Sequence, residues 1–209
     1  AYRRQRQMCI RDSPYTNPQV LKESGPHVIC KGEGIYVYDN TGAKFIEGMS
    51  GLWCASLGFD NKELVEAATK QMDRLPFYHS FSGKVPDVAA NLAEKLLKIA
   101  PEGLDKVIFC NSGSEANDTA VKVVWYYQNA VRRPEKRKII SRKRGYHGVT
   151  MVAGSLTGLP YAQEGFGLPL DFVRHTSSPH YFADKHENED EEMFTDRLLT
   201  ELENLIIKE

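Results

Sequence analysis

The residues best suited to chemistry lie at positions 107–117, where a short apolar run leads into a small polar turn and then into helical periodicity. Ser112 and Glu115 have the S-x-x-E spacing of a capping box, in which the serine caps a helix and the glutamate returns to the serine's own amide. Gly113, between them, has no side chain to block an approaching group. Because a helix N-terminus presents unpaired amides and a partial positive charge, this stretch predicts a phosphate site. An ordinary capped helix explains the same residues equally well.

The elements that would position this turn are a strand before it and a helix after it. Residues 107–110 are β-branched or aromatic enough to predict a buried strand. The following apolar residues recur at helical spacing and predict an amphipathic helix; they are Ala116, Ala120, Val121, Val123, Val124 and Tyr127.

Residues 111–117 (NSGSEAN) resemble the phosphate-binding signature of the class III aminotransferases, which are fold-type-I enzymes that use pyridoxal phosphate. Three further segments agree with that family in order and approximate spacing, at residues 48–58, 75–81 and 145–150. The resemblance extends over about residues 13–209 and is far more specific than any one of the motifs. It implies an α/β fold of fold type I, an N-terminal antiparallel meander followed by the first part of a large mixed-sheet domain.

The resemblance also implies roles for individual residues. Ser112, Gly113 and Ser114 would cradle the phosphate of pyridoxal 5'-phosphate, and Tyr146 would stack on its ring. A flat aromatic surface after a strand suits a planar pyridine, since ligands of open α/β sheets lie beyond the carboxyl ends of strands. His147 could act as a base by its chemistry, but the family's base is a lysine, so we expect this histidine to shape the loop.

Two aromatic residues are the candidates for the substrate pocket. Trp53, in a glycine-rich loop, matches a residue that lines the pocket in the family, and Phe81 matches one that reaches the active site of a neighbouring subunit. An aromatic wall suits an apolar amine. The alternatives are that Trp53 is a core residue and that Phe81 belongs to an intramolecular aromatic cluster with its neighbours.

Composition excludes several other classes of function. The 209 residues are 41% hydrophobic and 26% charged, with a net charge of -1, so nothing favours nucleic acid or an acidic membrane as partner. No apolar stretch approaches the roughly 18 residues that span a bilayer, and no signal peptide is apparent, so we expect a cytoplasmic protein. The four cysteines are scattered and three histidines, His175, His180 and His186, are irregularly spaced, so no metal site is predicted.

Three segments organise the chain. Residues 1–12 are basic and unlike the family, and we interpret them as a non-native or disordered extension. Residues 13–55 are predicted to form a segment of the small domain, with a meander whose tight turn lies at residues 39–42. Residues 56–209 are predicted to begin the large cofactor-binding domain, with helices at 62–75, 87–100 and 193–208 and a strand at 138–141.

The resemblance predicts the N-terminal part of an enzyme that transfers an amino group from an amine or ω-amino acid to a keto acid such as pyruvate, as a homodimer. In the family, the Schiff-base lysine and the carboxylate at the pyridine nitrogen lie downstream of the matched residues, so we expect no catalytic residue here and no activity from this chain alone. A partly built sheet also predicts poor solubility. The alternatives are a non-catalytic phosphate-binding or dimerisation module, and an aminomutase or decarboxylase on the same scaffold.

Overall fold

The computed structural model describes residues 16–209, so the interpretation of residues 1–12 lies outside the described part. The chain divides after Lys106 into two compact units. The contact-based division after Lys106 does not test the division into a small and a large domain that the resemblance implies. The predicted boundary between residues 55 and 56 therefore stays a prediction. Within the described part, no helix is both long and apolar enough to cross a membrane.

The first unit begins with helix α1 (Pro18–Ser24) and the predicted meander, which is confirmed. Strands β1 (Ile29–Glu33), β2 (Tyr36–Asp39) and β3 (Lys44–Ile46) pair antiparallel in that order. Asp39 closes the turn between β2 and β3, because its carboxylate accepts hydrogen bonds from the amide and hydroxyl of Thr41 (2.8 and 2.6 Å) and from the amide of Ala43 (3.0 Å). These bonds, that of the Thr41 hydroxyl above all, lower the pKa of Asp39 to about 2.

A single helical turn (Ser50–Trp53) follows the meander, and two longer helices, α2 (Lys62–Arg74) and α3 (Asp87–Leu97), lie close to their predicted positions. The side chain of Asn61 caps α2 by accepting from the amide of Leu64 (3.1 Å). Arg74 at the end of α2 binds both carboxylate oxygens of Asp87 at the start of α3 (2.8 and 2.9 Å), which brackets the loop between them. The residues described here bury no side chain of either helix, and the exposed apolar residues include Leu64, Val65, Met72, Val88 and Leu92.

The second unit is built on helix α4 (Gly113–Ala130) and two parallel strands, β4 (Ile139–Arg142) and β5 (Val173–Thr176). Helix α5 (Met151–Leu156) and a 3-10 turn (Pro160–Ala162) lie between the strands in sequence. Helices α6 (Tyr181–Asp184) and α7 (Glu191–Lys208) follow β5. The core consists of Val121, Leu156 and Val173, with Trp125 and Phe172 packed against it in a T-shaped pair (4.8 Å between ring centroids).

Charged groups of α7 and of the loop that precedes it form contacts with β5, with Lys138 before β4 and with each other. Glu201 accepts from the amide of Ser177 (2.8 Å), and Glu209 accepts from Arg174 Nε (2.7 Å) as well as from Lys138. Buried Glu189 forms a bidentate salt bridge with the guanidinium of Arg197 (2.7 and 2.9 Å). These contacts fix the helix against the parallel strands.

Two sequence predictions for this unit fail. Residues 107–110 form no strand, because a strand needs a hydrogen-bonded neighbour and, among residues 16–209, β4 and β5 pair only with each other. Of the apolar face predicted for α4, only Val121 is buried, while Val123, Val124 and Tyr127 are exposed. Helix α5 was not predicted at all.

Candidate functional site

The predicted cap of α4 is present, with one difference. Ser112 Oγ accepts from the amide of Glu115 (3.2 Å), as the capping box requires. The carboxylate of Glu115, however, accepts from the amide of Asn111 (2.9 Å) and not from that of Ser112, so the prediction of a return to the cap's own amide is wrong. The carboxylate reaches one residue further back and thereby fixes the backbone that enters the helix.

The first turn of α4 suits an anion. Helix geometry gives the amides of Gly113 and Ser114 no acceptor within the helix, so both can donate to an external group. A β-carbon built on Gly113 would meet no atom within 4 Å, which leaves open space directly beside these amides. Ser112 Oγ accepts the bond from Glu115, and its own hydroxyl hydrogen remains able to donate. The residues therefore fit a phosphate group at a helix N-terminus.

Side chains of α4 also hold the loop that carries Tyr146. Ser114 Oγ accepts from the amide of Val149 (3.0 Å), and the side-chain amide of Asn117 donates to the carbonyl of His147 (2.6 Å). The two contacts lie on either side of Gly148. The predicted phosphate cradle and the predicted ring-stacking residue are thus joined through the backbone of residues 147–149.

A second pair of contacts extends this connection to α5. Asp118 Oδ1 accepts from the hydroxyl of Thr150 (2.7 Å) and from the amide of Ala153 (3.0 Å). Ala153 is the third residue of α5, so a side chain from α4 supplies the N-terminal cap of another helix. Because the cap comes from α4, the loop of residues 145–150 is held at its far end as well.

Thr157, directly after α5, fixes the loop from the other side. Its side chain is fully buried, and its Oγ1 accepts from the amide of His147 (2.9 Å). The same hydroxyl lies 3.1 Å from the carbonyl oxygens of both Gly148 and Ala153. His147 therefore has its amide and its carbonyl both bound, which agrees with a role in shaping the loop.

Gly148 allows the close approach of the loop to α4. Its φ of 131° lies outside the conformations that L-residues adopt readily. A β-carbon at this position would lie 2.8 Å from Ala153 Cβ and 3.0 Å from Ser114 Cα, and closer still to Ser114 Oγ. Only glycine is compatible with these contacts as they stand.

Tyr146 lies within this fixed loop, and its side chain is 52% exposed. The residues after it are held by α4 and by Thr157, as described above. On the other side, the amide of Gly145 donates to the carbonyl of Arg142 (3.2 Å) at the end of β4. An aromatic ring on so constrained a backbone presents a defined surface for stacking.

The two aromatic candidates for the substrate pocket belong to the first unit. Trp53 is 72% exposed, so the described residues do not bury it in a core. Phe81 is 75% exposed, whereas its neighbours Tyr78 and His79 stack on each other (4.6 Å between ring centroids). Phe81 lies in the loop that the ion pair between Arg74 and Asp87 brackets.

Sequence reasoning missed the residues that position the loop, Asn117, Asp118 and Thr157. Asn117 belongs to the signature at residues 111–117 and Gly148 to the segment at residues 145–150, but neither motif by itself indicates a role for them. Asp118 and Thr157 carried no local signal, because their partners lie 32 and 10 residues away in the sequence. Only the fold brings these groups within hydrogen-bonding distance.

Comparison with known proteins gives three consistent results. The family described as "Aminotransferase class-III" matches residues 20–209. Vanillin aminotransferase of Capsicum chinense is 52% identical over 185 residues, and the mitochondrial gamma aminobutyrate transaminase 1 of Solanum lycopersicum is 48% identical over 198 residues. An omega transaminase of Pseudomonas jessenii, whose structure is a complex with PMP, is 50% identical with a TM-score of 0.95. The likeness in structure confirms the predicted fold class.

The chain spans less than half the length of these relatives. The matches cover 88% and 94% of this chain but 40% and 38% of the two plant proteins. The match to the Pseudomonas jessenii enzyme covers 98% of this chain and 45% of the other.

Proposed function

Because the chain belongs to the class III aminotransferase family, we propose that its α4 N-terminus binds the phosphate of pyridoxal 5'-phosphate in a protein that transfers amino groups. The observation that carries the proposal is the first turn of α4, where Ser112 caps the helix, Gly113 leaves open space and Ser114 is joined to the loop of Tyr146. In complete form the protein would transfer an amino group from an amine or ω-amino acid to a keto acid such as pyruvate.

Each residue has a separate task in this proposal. The amides of Gly113 and Ser114 and the hydroxyl of Ser112 donate hydrogen bonds to phosphate oxygens, assisted by the partial positive charge of an 18-residue helix. Tyr146 covers one face of the pyridine ring. When bound, pyridoxal phosphate supplies a carbonyl that reacts with amines and a ring that accepts electron density. The chain's own residues hold this group in place and restrict its orientation.

The acceptor and donor pocket would include Trp53 and, from a neighbouring subunit of a homodimer, Phe81. Two engineered variants of a thermostable omega transaminase support these positions. One carries a tryptophan-to-glycine change, and another combines changes of a tryptophan, a phenylalanine and an arginine, both for asymmetric synthesis of enantiopure bulky amines. The tryptophan and the phenylalanine changed there lie as far apart in sequence as Trp53 and Phe81.

The direct test is to express the complete reading frame that contains this chain and to measure alanine formation from pyruvate with a panel of primary amines and ω-amino acids. We expect amine-dependent alanine formation that requires added pyridoxal phosphate. Release of carbon dioxide from amino acids without alanine would indicate a decarboxylase, and isomerised amino acid would indicate an aminomutase. Binding of the cofactor without any turnover would indicate a non-catalytic module.

A matched variant tests the phosphate cradle itself. Gly113→Ala adds one methyl group in open space, so folding should be unaffected while the approach of phosphate to the amides is hindered. We expect the affinity for pyridoxal phosphate to fall roughly tenfold, the effect of losing one charge-assisted hydrogen bond. Unchanged affinity for both pyridoxal phosphate and inorganic phosphate would show that the phosphate binds elsewhere.

A further inference from the structure

The segment before the candidate pocket tryptophan has an unusual backbone. Ser50, Gly51, Leu52 and Trp53 all have positive φ, with values of 49°, 59°, 61° and 67°. The ψ values of Gly51 and Leu52, 41° and 51°, place them close to the ideal left-handed α-helix. The amide of Trp53 donates to the carbonyl of Met49 (2.8 Å), and that of Cys54 to the carbonyl of Ser50 (2.9 Å). The segment is one hydrogen-bonded turn of left-handed helix.

Such a turn is unfavourable for L-residues, because the β-carbon comes too close to the following carbonyl oxygen. Only Gly51 avoids this cost, and three of the four residues bear side chains. Burial of the side chains within the first unit does not compensate for this cost, since Leu52 and Trp53 are 62% and 72% exposed. Strained conformations of this kind persist where the surroundings enforce them, and they cluster at functional sites.

The surroundings that enforce the turn are contacts to the meander. Before the turn, Glu47 accepts from the amide of Met49 (2.8 Å), and its own amide donates to the carbonyl of Ile35 (2.9 Å). After the turn, the amide of Phe59 donates to the carbonyl of Gly34 (3.0 Å), and Asp60 accepts from the amide of Gly34 (2.9 Å). Both ends of the segment are therefore attached at the hairpin between β1 and β2.

The ring of Phe59 lies between strand β1 and the left-handed turn. A β-carbon on Gly32 in strand β1 would lie 2.7 Å from Phe59 Cγ, so only glycine there leaves room for the ring. The same ring faces the left-handed turn, where a β-carbon on Gly51 would lie 3.3 Å from it. The ring separates the turn from the sheet and sets the distance between them.

We propose that this left-handed turn directs Trp53 and thereby sets the size limit of the amine pocket, with Ser50 and Leu52 as positioning residues. The inference rests on the proposed function, because it assumes that Trp53 lines that pocket. The hand of the turn determines the side from which the indole leaves the backbone. A change of hand would remove the indole from the pocket without altering the indole itself. The ligands that should respond are primary amines with a bulky apolar group next to the amino carbon.

Leucine-to-isoleucine exchange tests the hand of the turn without changing composition or volume. Leu52→Ile places a β-branched residue at a positive φ, which such residues tolerate least. Leu52→Asn removes the apolar side chain but keeps a residue that accepts the left-handed conformation. Leu64→Ile, at an exposed position of helix α2, makes the same chemical change at a residue without positive φ.

Two measurements distinguish a change in the conformation of the turn from a change in the size of the amine pocket. Incorporation of 5-fluorotryptophan gives a separate ¹⁹F resonance for each tryptophan, and Trp53→Phe identifies the resonance of Trp53. In the complete protein we expect the Trp53 resonance to shift or broaden in Leu52→Ile and to stay in place in Leu52→Asn and Leu64→Ile. In the complete protein, the ratio of kcat/KM for a bulky amine to that for a small amine should rise roughly tenfold in Leu52→Ile alone.

A Trp53 resonance that moves in Leu52→Ile while the ratio stays constant would overturn the inference and leave amino transfer intact. An unmoved Trp53 resonance in Leu52→Ile would overturn it as well, because the turn would then not depend on the conformational preference of residue 52. Absence of amino transfer by the unsubstituted complete protein would overturn both the proposed function and this inference. The ¹⁹F result would in that case still report whether the left-handed turn directs the indole.

Discussion

Alanine substitutions at three glycines test whether the loop of Tyr146 packs closely against α4. The three positions differ in backbone conformation and in the space available for a β-carbon. Gly148 has φ 131° and would place a β-carbon against Ser114 and Ala153. Gly165 has φ 81° but open space around it. Gly113 has open space and no positive φ. Substituting alanine at each separates contact from conformation.

The structure allows the three effects to be ranked. Gly148→Ala should cost about 1–3 kcal/mol for the unfavourable backbone and about 1–3 kcal/mol for the overpacked contact, hence roughly 2–6 kcal/mol in all. Gly165→Ala should cost only the backbone share, about 1–2 kcal/mol. Gly113→Ala should change the free energy of unfolding by no more than about 0.5 kcal/mol. A loss at the upper end for Gly148→Ala is comparable with the whole stability of a domain.

Unfolding by urea, followed by tryptophan fluorescence, measures these differences. In a Trp53→Phe background, Trp125 is the sole tryptophan and reports on the core of the second unit, where it packs against Phe172. The contact cost should make Gly148→Ala about 1–3 kcal/mol more destabilising than Gly165→Ala, so a difference within about 0.5 kcal/mol refutes the close approach of the loop to α4. A double variant with Ser114→Ala removes the atom nearest to the new methyl group but also the acceptor of the Val149 amide, so it should destabilise less than the two single changes added together.

Three further predictions concern charged residues of the second unit. Pairing with Arg197 lowers the pKa of Glu189 from its ordinary 4.5 to about 2, so its stabilisation is complete above pH 4.5 and is lost as the pH falls towards 2; melting temperatures between pH 2 and 6 should depend less on pH in Glu189→Gln. Asp118→Ala should lower the free energy of unfolding by about 1–3 kcal/mol and accelerate hydrogen exchange of the Ala153 amide, whereas Asp118→Asn keeps the acceptor and should do neither. Glu115→Gln keeps an acceptor for the amide of Asn111 but removes a negative charge from the anion site, so titration calorimetry should show phosphate affinity raised about twofold to fivefold; a decrease would contradict the proposed site.

Local sequence determined where several elements begin. Ser112 was recognised as a helix cap because its side chain accepts from an amide only three residues ahead, so the complete interaction lies in a short window. The turn of the meander was recognised for the same reason, since Asp39 and Gly42 form it between themselves and their neighbours. The resemblance to class III aminotransferases, likewise a property of the sequence, identified the family and the fold class.

Interactions between distant residues decided the rest. Helix α5 escaped prediction because its cap is Asp118, which lies on another helix. Residues 107–110 have the composition of a strand, but a strand exists only where a neighbour pairs with it. The left-handed turn before Trp53 runs against the preference of its own residues, so no propensity could predict it, and the contacts at the hairpin of the meander enforce it. Sequence determined the residues available for the site, whereas tertiary contacts determined their conformation, because the groups that hold them come from elsewhere in the chain.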